Sequence, residues 1–513
     1  MSRRTGRALA LAASLALTTA ALSAVTTGPG SAAEQKSEVA APITLWAPAT
    51  VTATAYRGRA YTDLGLRIIA QDEPFELWST RSSYDDPITT VWRSSTGDVT
   101  LPSGLMSDFN GMRKFLEISL VPQGKGTAAT IVRKGCLGNY SERVSPDAPA
   151  TSPYPRSCYY NPYSLGSVQG IQAGWATPAM AGYRPFKVTP GAYTVTAKIA
   201  DAYAAAFNMA PTDATRTFTL NVVKEPSYPG EPVGRGTSTA PASDPAHDEP
   251  AAPSAGEVPS TTPDLRSLPA WGIQVGRSGD YLQFSATVWN AGTSPLVVDG
   301  FRRDGEDEMD AYQYFFDADG NQTGYQSVGS FHWDPKPTHL HWHFEDFATY
   351  TLLNADKTEV VKSRKEAFCL ANTDAVDQTV PNAVWNVDNS DLTTACGDYS
   401  SLSIREVLAS GWGDTYAQFR AGQSFNLKGL PNGTYYIEVK ANPQDRLVET
   451  SKDNNVALRE IVLGGKPGAR TVTVPQVGLV VEPQVRGGGS VGIPAGPVSC
   501  NGTEPGRQAG PAR

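Results

Sequence analysis

Two stretches, Tyr193-Thr194-Val195-Thr196-Ala197-Lys198-Ile199 and Thr217-Phe218-Thr219-Leu220-Asn221-Val222-Val223, decide the fold class. Apolar and polar residues alternate along both with a period of two, as in strands that bury one face and wet the other. Similar runs predict strands over 45–56, 64–70, 115–121 and 128–132, so residues 41–225 read as an immunoglobulin-like β-sandwich. Beyond residue 264 the same character returns over 281–290, 350–353, 425–427 and 434–440. Pro190-Gly191 and Pro431-Asn432-Gly433 each precede a Tyr-rich alternating run, which predicts similar edge strands in two sandwich-type domains. The chain is expected to be all-β.

Composition agrees. Of 513 residues, 48 are Gly and 39 Pro, which favours short elements joined by many turns. The formal charge of −8 leaves no general basic face and excludes an electrostatic nucleic-acid binder. Arg3, Arg4 and Arg7, an Ala/Leu-rich run and the small residues up to Ala33 read as a secretory signal peptide over 1–33. No later run approaches membrane-spanning length, so the expected product is secreted, extracellular and without a membrane anchor after cleavage. Residues 226–263 hold nine prolines and almost no large apolar side chain, and read as a Pro-rich linker. The tail over 464–513 is expected to be flexible apart from one strand near 471–474. Export allows disulfides, and Cys136 with Cys158 and Cys369 with Cys396 are the expected pairs, leaving Cys500 odd. Tyr154, Tyr159, Tyr160 and Tyr163 read as packing residues rather than as an exposed recognition surface.

Four of the five histidines are concentrated at His332 and in Thr338-His339-Leu340-His341-Trp342-His343-Phe344. On a strand, His339, His341 and His343 would project from one face while Leu340, Trp342 and Phe344 enter a core. Three neutral imidazoles on one rigid strand suit Cu, Zn or Ni. Zinc hydrolysis usually adds an activating carboxylate; Glu345 and Asp346 are close in sequence but, as consecutive strand residues, face opposite ways, and no Cys and Met complete a blue-copper set. A three-His copper centre with open positions is the expectation. The acidic residues Asp304, Glu306, Asp307, Glu308 and Asp310, followed by Asp317-Ala318-Asp319-Gly320-Asn321, lack the terminal Glu of a calcium loop; calcium is possible but a hairpin turn is the better reading.

The stretch from Thr338 through Glu345-Asp346-Phe347-Ala348-Thr349-Tyr350-Thr351-Leu352-Leu353 resembles the copper-binding segment of the lysyl oxidase family. Lys365-Glu366-Ala367-Phe368-Cys369-Leu370, Gly413-Asp414-Thr415-Tyr416 and the closing run from Asn432 to Asn455 match that family in order, so the resemblance covers roughly residues 264–463. It implies Cu(2+) held by His339, His341 and His343, and a lysine tyrosylquinone made from Lys365 and Tyr416. The interval between Lys365 and Tyr416 is longer than in the animal enzymes, which leaves Tyr399 as an alternative partner. The implied activity is oxidation of a primary amine, small or the ε-amine of a lysine-bearing protein, to an aldehyde with O2, releasing H2O2 and NH3. Asp414 and Asp334 are both candidates for the general base. All these residues follow the linker, so the chemistry is expected to need nothing from residues 41–225. The alternatives are a secreted copper- or zinc-binding sandwich without catalysis and a zinc hydrolase; only the oxidase would contain a quinone.

Overall fold

The computed structural model describes residues 40–181, 185–224, 261–303, 306–317, 320–335, 340–363, 367–388, 390–420 and 422–483. The signal peptide, most of the linker, Asp304, Asp319, His339, Lys365 and Cys500 lie outside them. The regular secondary structure among the described residues is almost entirely strand, with two short helices at Asp201–Ala206 and Pro211–Ala214. The protein is all-β.

In the N-terminal segment a seven-stranded sheet has Thr50–Tyr56, Thr215–Lys224, Gly191–Ile199 and Met112–Pro122 as its interior strands. Two four-stranded sheets complete it, and all three supply one core that includes Leu45, Phe75, Trp92, Phe115 and Val195. The expected single strand over 45–56 is two strands. Ile43–Trp46 pairs with Arg67–Ala70, whereas Thr50–Tyr56 pairs in parallel with Thr215–Lys224. Pro48 stands between them, and a residue without an N–H cannot continue a ladder, so the chain changes sheet there. The expected edge strands are interior ones. Gly191–Ile199 and Gly433–Ala441 are each paired on both sides.

The C-terminal segment also has three sheets around one core. One six-stranded sheet contains the neighbours Tyr281–Asn290, Trp412–Tyr416 and Asp374–Ala375. The second places His341–Glu345 between Gln322–Asp334 and Ala367–Phe368. The third is five-stranded and ends in Ala469–Thr473, the strand expected near 471–474. Disulfides join Cys136 to Cys158 and Cys369 to Cys396. The acidic residues after Arg303 are neutralised locally: Arg303 pairs with Glu306, Glu308 and Asp310, and Arg302 with Asp307 at 3.7 Å. Asp317 accepts from the Asn321 N–H across a turn at Gly320 (φ 83°), which is the hairpin geometry.

The two segments share buried contacts. Tyr154, Tyr159 and Tyr163 are buried, as packing residues should be. Tyr154 stacks on Trp385, Tyr159 meets the edge of Trp412 at 5.0 Å, and Tyr163 joins Trp271, Trp289 and Val480. The Leu165 N–H donates to Val376 O at 2.7 Å, and the Val168 N–H to Gln378 Oε1 at 3.0 Å. Leu479 N–H donates to Tyr84 O, and Glu482 bonds Arg459, so residues 477–483 run along the same contact. At its centre the buried Asp374 carboxylate accepts from Asn161 Nδ2 at 3.0 Å.

Burial raises the Asp374 carboxyl to about 6, against hydrogen bonds from Thr415 and Asn161 that pull it down. Between its unfolded value near 3.8 and its folded value near 6, the folded state binds the extra proton, so stability falls as pH rises through that window and is flat above it. Two units correspond to roughly 3 kcal/mol at most. Urea unfolding of the wild type and of Asp374→Asn between pH 4 and 7 should show this decline only in the wild type; parallel pH profiles would refute the assignment.

Candidate metal and redox site

The histidine strand is set by its neighbour. Gln322–Asp334 and His341–Glu345 run antiparallel, with His332 opposite His343 and Asp334 opposite His341. One face of the pair therefore carries Ser330, His332 and Asp334 against Glu345, His343 and His341, and the other carries Phe331 and Trp333 against Phe344 and Trp342. Trp342 and Phe344 are buried in the main core, as expected. Leu340 is not: it is 52% exposed, has φ 49°, and precedes the strand. The expected alternation holds from His341 onward and fails at Leu340; His339 lies outside the described residues.

His341 and His343 converge. Their Nε2 atoms are 2.9 Å apart, with ring centroids at 4.6 Å and planes at 79°. Without an ion, one imidazole can donate to the other across this gap. The same separation is also what two nitrogens about 2.0–2.1 Å from one ion, at right angles, would show. The donor set and its spacing fit a nitrogen-preferring metal such as copper. His343 is 2% exposed, and Asp334 Oδ2 lies 3.7 Å from its Nδ1, within ion-pair range but beyond a hydrogen bond, on the side from which a carboxylate can steer a metal-ligating ring. His332 Nδ1 lies 3.0 Å from Glu345 Oε1, and Ser330 Oγ donates to Glu345 Oε2 at 3.0 Å. Sequence reading singled out Asp334 but not its station behind His343; the signal was the second alternation, Phe331-His332-Trp333-Asp334, which mirrors the first across a hairpin.

The disulfide frames this strand. The Trp342 N–H donates to Cys396 O at 3.1 Å, its indole N–H to Asp398 O at 2.9 Å, while Phe344 and Glu345 pair with Phe368 and Ala367. Cys369–Cys396 therefore links the two pieces of chain along one edge of the histidine strand. Glu406 approaches both sulfurs and accepts from the Leu370 N–H at 2.8 Å. Sulfurs joined to each other are not thiolate ligands, so this group is a structural one.

Tyr416 ends the strand Trp412–Tyr416. Its hydroxyl accepts from the Cys369 N–H at 2.7 Å and contacts Cys369 O at 3.2 Å, and its ring meets the edge of Phe368 at 4.8 Å. Cys369 and Tyr416 are 47 residues apart in sequence, yet Cys369 is only four residues from Lys365. Four residues span at most about 14 Å. Burial, and next the Asp414 carboxylate on the same strand face, push the phenol well above its usual range, with the Cys369 N–H opposing. Tyr416 thus keeps its proton at neutral pH. Tyr399, the alternative, has its ring against Trp333 at 5.3 Å and under the Arg302 guanidinium at 4.8 Å.

Fold and site together define an all-β protein in which two converging imidazoles and a half-buried tyrosine held on the Cys369 backbone flank one disulfide-bonded segment. Residues 318–472 match the lysyl oxidase family. Lysyl oxidase homolog 2 from Homo sapiens and from Pongo abelii are each 28% identical over 120 residues, 23% of this chain; the Gallus gallus protein is similar to the same degree. The match spans 13% of the length of those relatives.

Asp334→Ala should lower copper affinity by roughly 10–100-fold while the near-UV spectrum of the folded protein persists, because the His343 ring loses its orienting partner. Competition against a chelator of known affinity measures this. An unchanged dissociation constant would remove Asp334 from the site.

Proposed function

We propose that the chain is an exported copper-dependent amine oxidase of the lysyl oxidase type, acting on small primary amines or on the ε-amine of peptidyl lysine. The observation that carries this reading is the Tyr416 hydroxyl held on the Cys369 backbone, four residues from Lys365. It supports Tyr416 over Tyr399 as the partner of Lys365 in a lysine tyrosylquinone. The basic and apolar leader over 1–33 and the two disulfides support export. No helix among the described residues is long and apolar enough to cross a membrane.

When bound and matured, copper and the quinone would supply an electrophilic carbonyl and a two-electron acceptor, so that an amine becomes an aldehyde while O2 is reduced to H2O2 and NH3 is released. His341 and His343, with His339, would hold the metal. Asp334, beside the His343 ring, would steer its orientation. Asp414 shares a strand face with Tyr416, which supports it over Asp334 as the proton acceptor. Phe368 and the Cys369 clamp restrict the phenol to one orientation.

Peptide mapping of copper-loaded, aerated protein should find the Lys365 and Tyr416 peptides joined. Lys365→Arg and Tyr416→Phe should bind copper yet form no crosslink and no amine-dependent peroxide, since a guanidinium stays protonated and a phenyl ring has no hydroxyl to oxidise. His341→Ala should lose copper and crosslink together. Two separate, unmodified peptides after full copper loading in air would leave a metal-binding protein without catalysis. A crosslink to Tyr399 would keep the activity and move the cofactor.

A further inference from the structure

We propose that residues 159–164 of the N-terminal segment belong to the framework of the redox centre, with Asn161 as a positioning residue for the strand that carries Asp414 and Tyr416. The role of Tyr416 rests on the proposed function; the position of Asn161 does not.

Along Trp412–Tyr416, side chains alternate: Trp412, Asp414 and Tyr416 share one face, Gly413 and Thr415 the other. This strand is the middle one of three hydrogen-bonded neighbours, between Tyr281–Asn290 and Asp374–Ala375. Thr287 is in register with Thr415, and Asp374 with Gly413. Asn161 Nδ2 reaches across all three strands, donating to Thr287 Oγ1 at 2.9 Å, Asp374 Oδ2 at 3.0 Å and Thr415 Oγ1 at 3.4 Å. Thr415 is further tied to Thr287 Oγ1 at 2.6 Å, to Asp374, and through its N–H to Thr373 Oγ1 at 2.7 Å.

Asn161 is itself immobilised. Its Oδ1 accepts from the Tyr163 N–H at 3.0 Å, its N–H donates to Ser164 Oγ at 2.8 Å, and that hydroxyl donates to Ala375 O at 2.7 Å. Asn161, Thr287 and Asp374 are at most 2% exposed, so water does not substitute for any of these bonds. Tyr159 adds an edge contact to Trp412 at the other end of the strand. The N-terminal segment thus fastens the outer face of the strand whose inner face presents Tyr416. A buried, mutually bonded polar group specifies one arrangement where apolar contacts would tolerate several. A crosslink between two side chains is sensitive to that difference, since a displacement of about 1 Å can cost 10²-fold in rate. The expectation that residues 41–225 are dispensable for the chemistry is therefore replaced.

The test uses the full-length chain carrying Asn161→Ala. In the copper-free protein, amide hydrogen exchange of the peptide covering 412–416 should quicken at least tenfold while that covering 341–345 stays within twofold of wild type. After copper loading in air, bound copper should equal that of the wild type and the yield of the Lys365–Tyr416 crosslink should fall at least tenfold. Asn386→Ala, which removes a different contact between the segments, to Ser152 O, should change neither quantity. If Asn161→Ala does not fold, Asn161→Ser, with its shorter donor, carries both measurements in the same direction. Exchange at 412–416 within twofold of wild type, or an equal rise in both peptides, overturns the positioning role. Wild-type protein that forms no crosslink in air would refute the oxidase reading alone, and the exchange result would still decide the place of Asn161.

Discussion

The antiparallel register between Gln322–Asp334 and His341–Glu345 is the constraint on which the site depends. It places two pairs, His332 with His343 and Asp334 with His341, on one face and four aromatic rings on the other. A slip by one residue would bring both histidines into the core and expose Trp342 and Phe344. Full burial of each such ring is worth roughly 1.5–3 kcal/mol, so the slipped pairing loses several kcal/mol before any buried imidazole is counted. The apolar face thus decides where the imidazole face points. Ligand geometry follows from core packing.

Around that register the protein builds a frame from distant parts of the chain. The disulfide from Cys369 to Cys396 joins both pieces that border the histidine strand, and the Cys369 backbone then holds the Tyr416 hydroxyl. Tyr416 comes from another sheet, whose outer face contacts the N-terminal segment through Asn161 and Tyr163, while Tyr159 meets Trp412 on the Tyr416 face. A phenol in such surroundings is a poor acid and keeps its proton at neutral pH.

Much of this was legible in the sequence because strand alternation is a local property. The runs at 193–199 and 217–223, the Trp342 and Phe344 positions, the cysteine pairs and the Asp317–Asn321 turn each depend on residues a few positions apart, and each has the expected outcome. Local pattern misled where one residue interrupted it. Pro48 split a strand that hydropathy alone would continue, and Leu340 turned outward although its apolar character matched the core side of the pattern.

The sequence by itself determined the strand faces, the imidazole set and the tyrosine and lysine that the family pattern selects. Only the tertiary structure decided what stands behind and beside them: Asp334 at the second nitrogen of His343, Cys369 at the Tyr416 hydroxyl, Asn161 across three strands. The physical reason is separation along the chain. Asn161 and Thr415 are 254 residues apart, and no periodicity or motif links two residues that meet only because separate sheets share a buried boundary. Hydrophobic alternation says which way each strand faces; the partners it meets are chosen by how whole sheets pack.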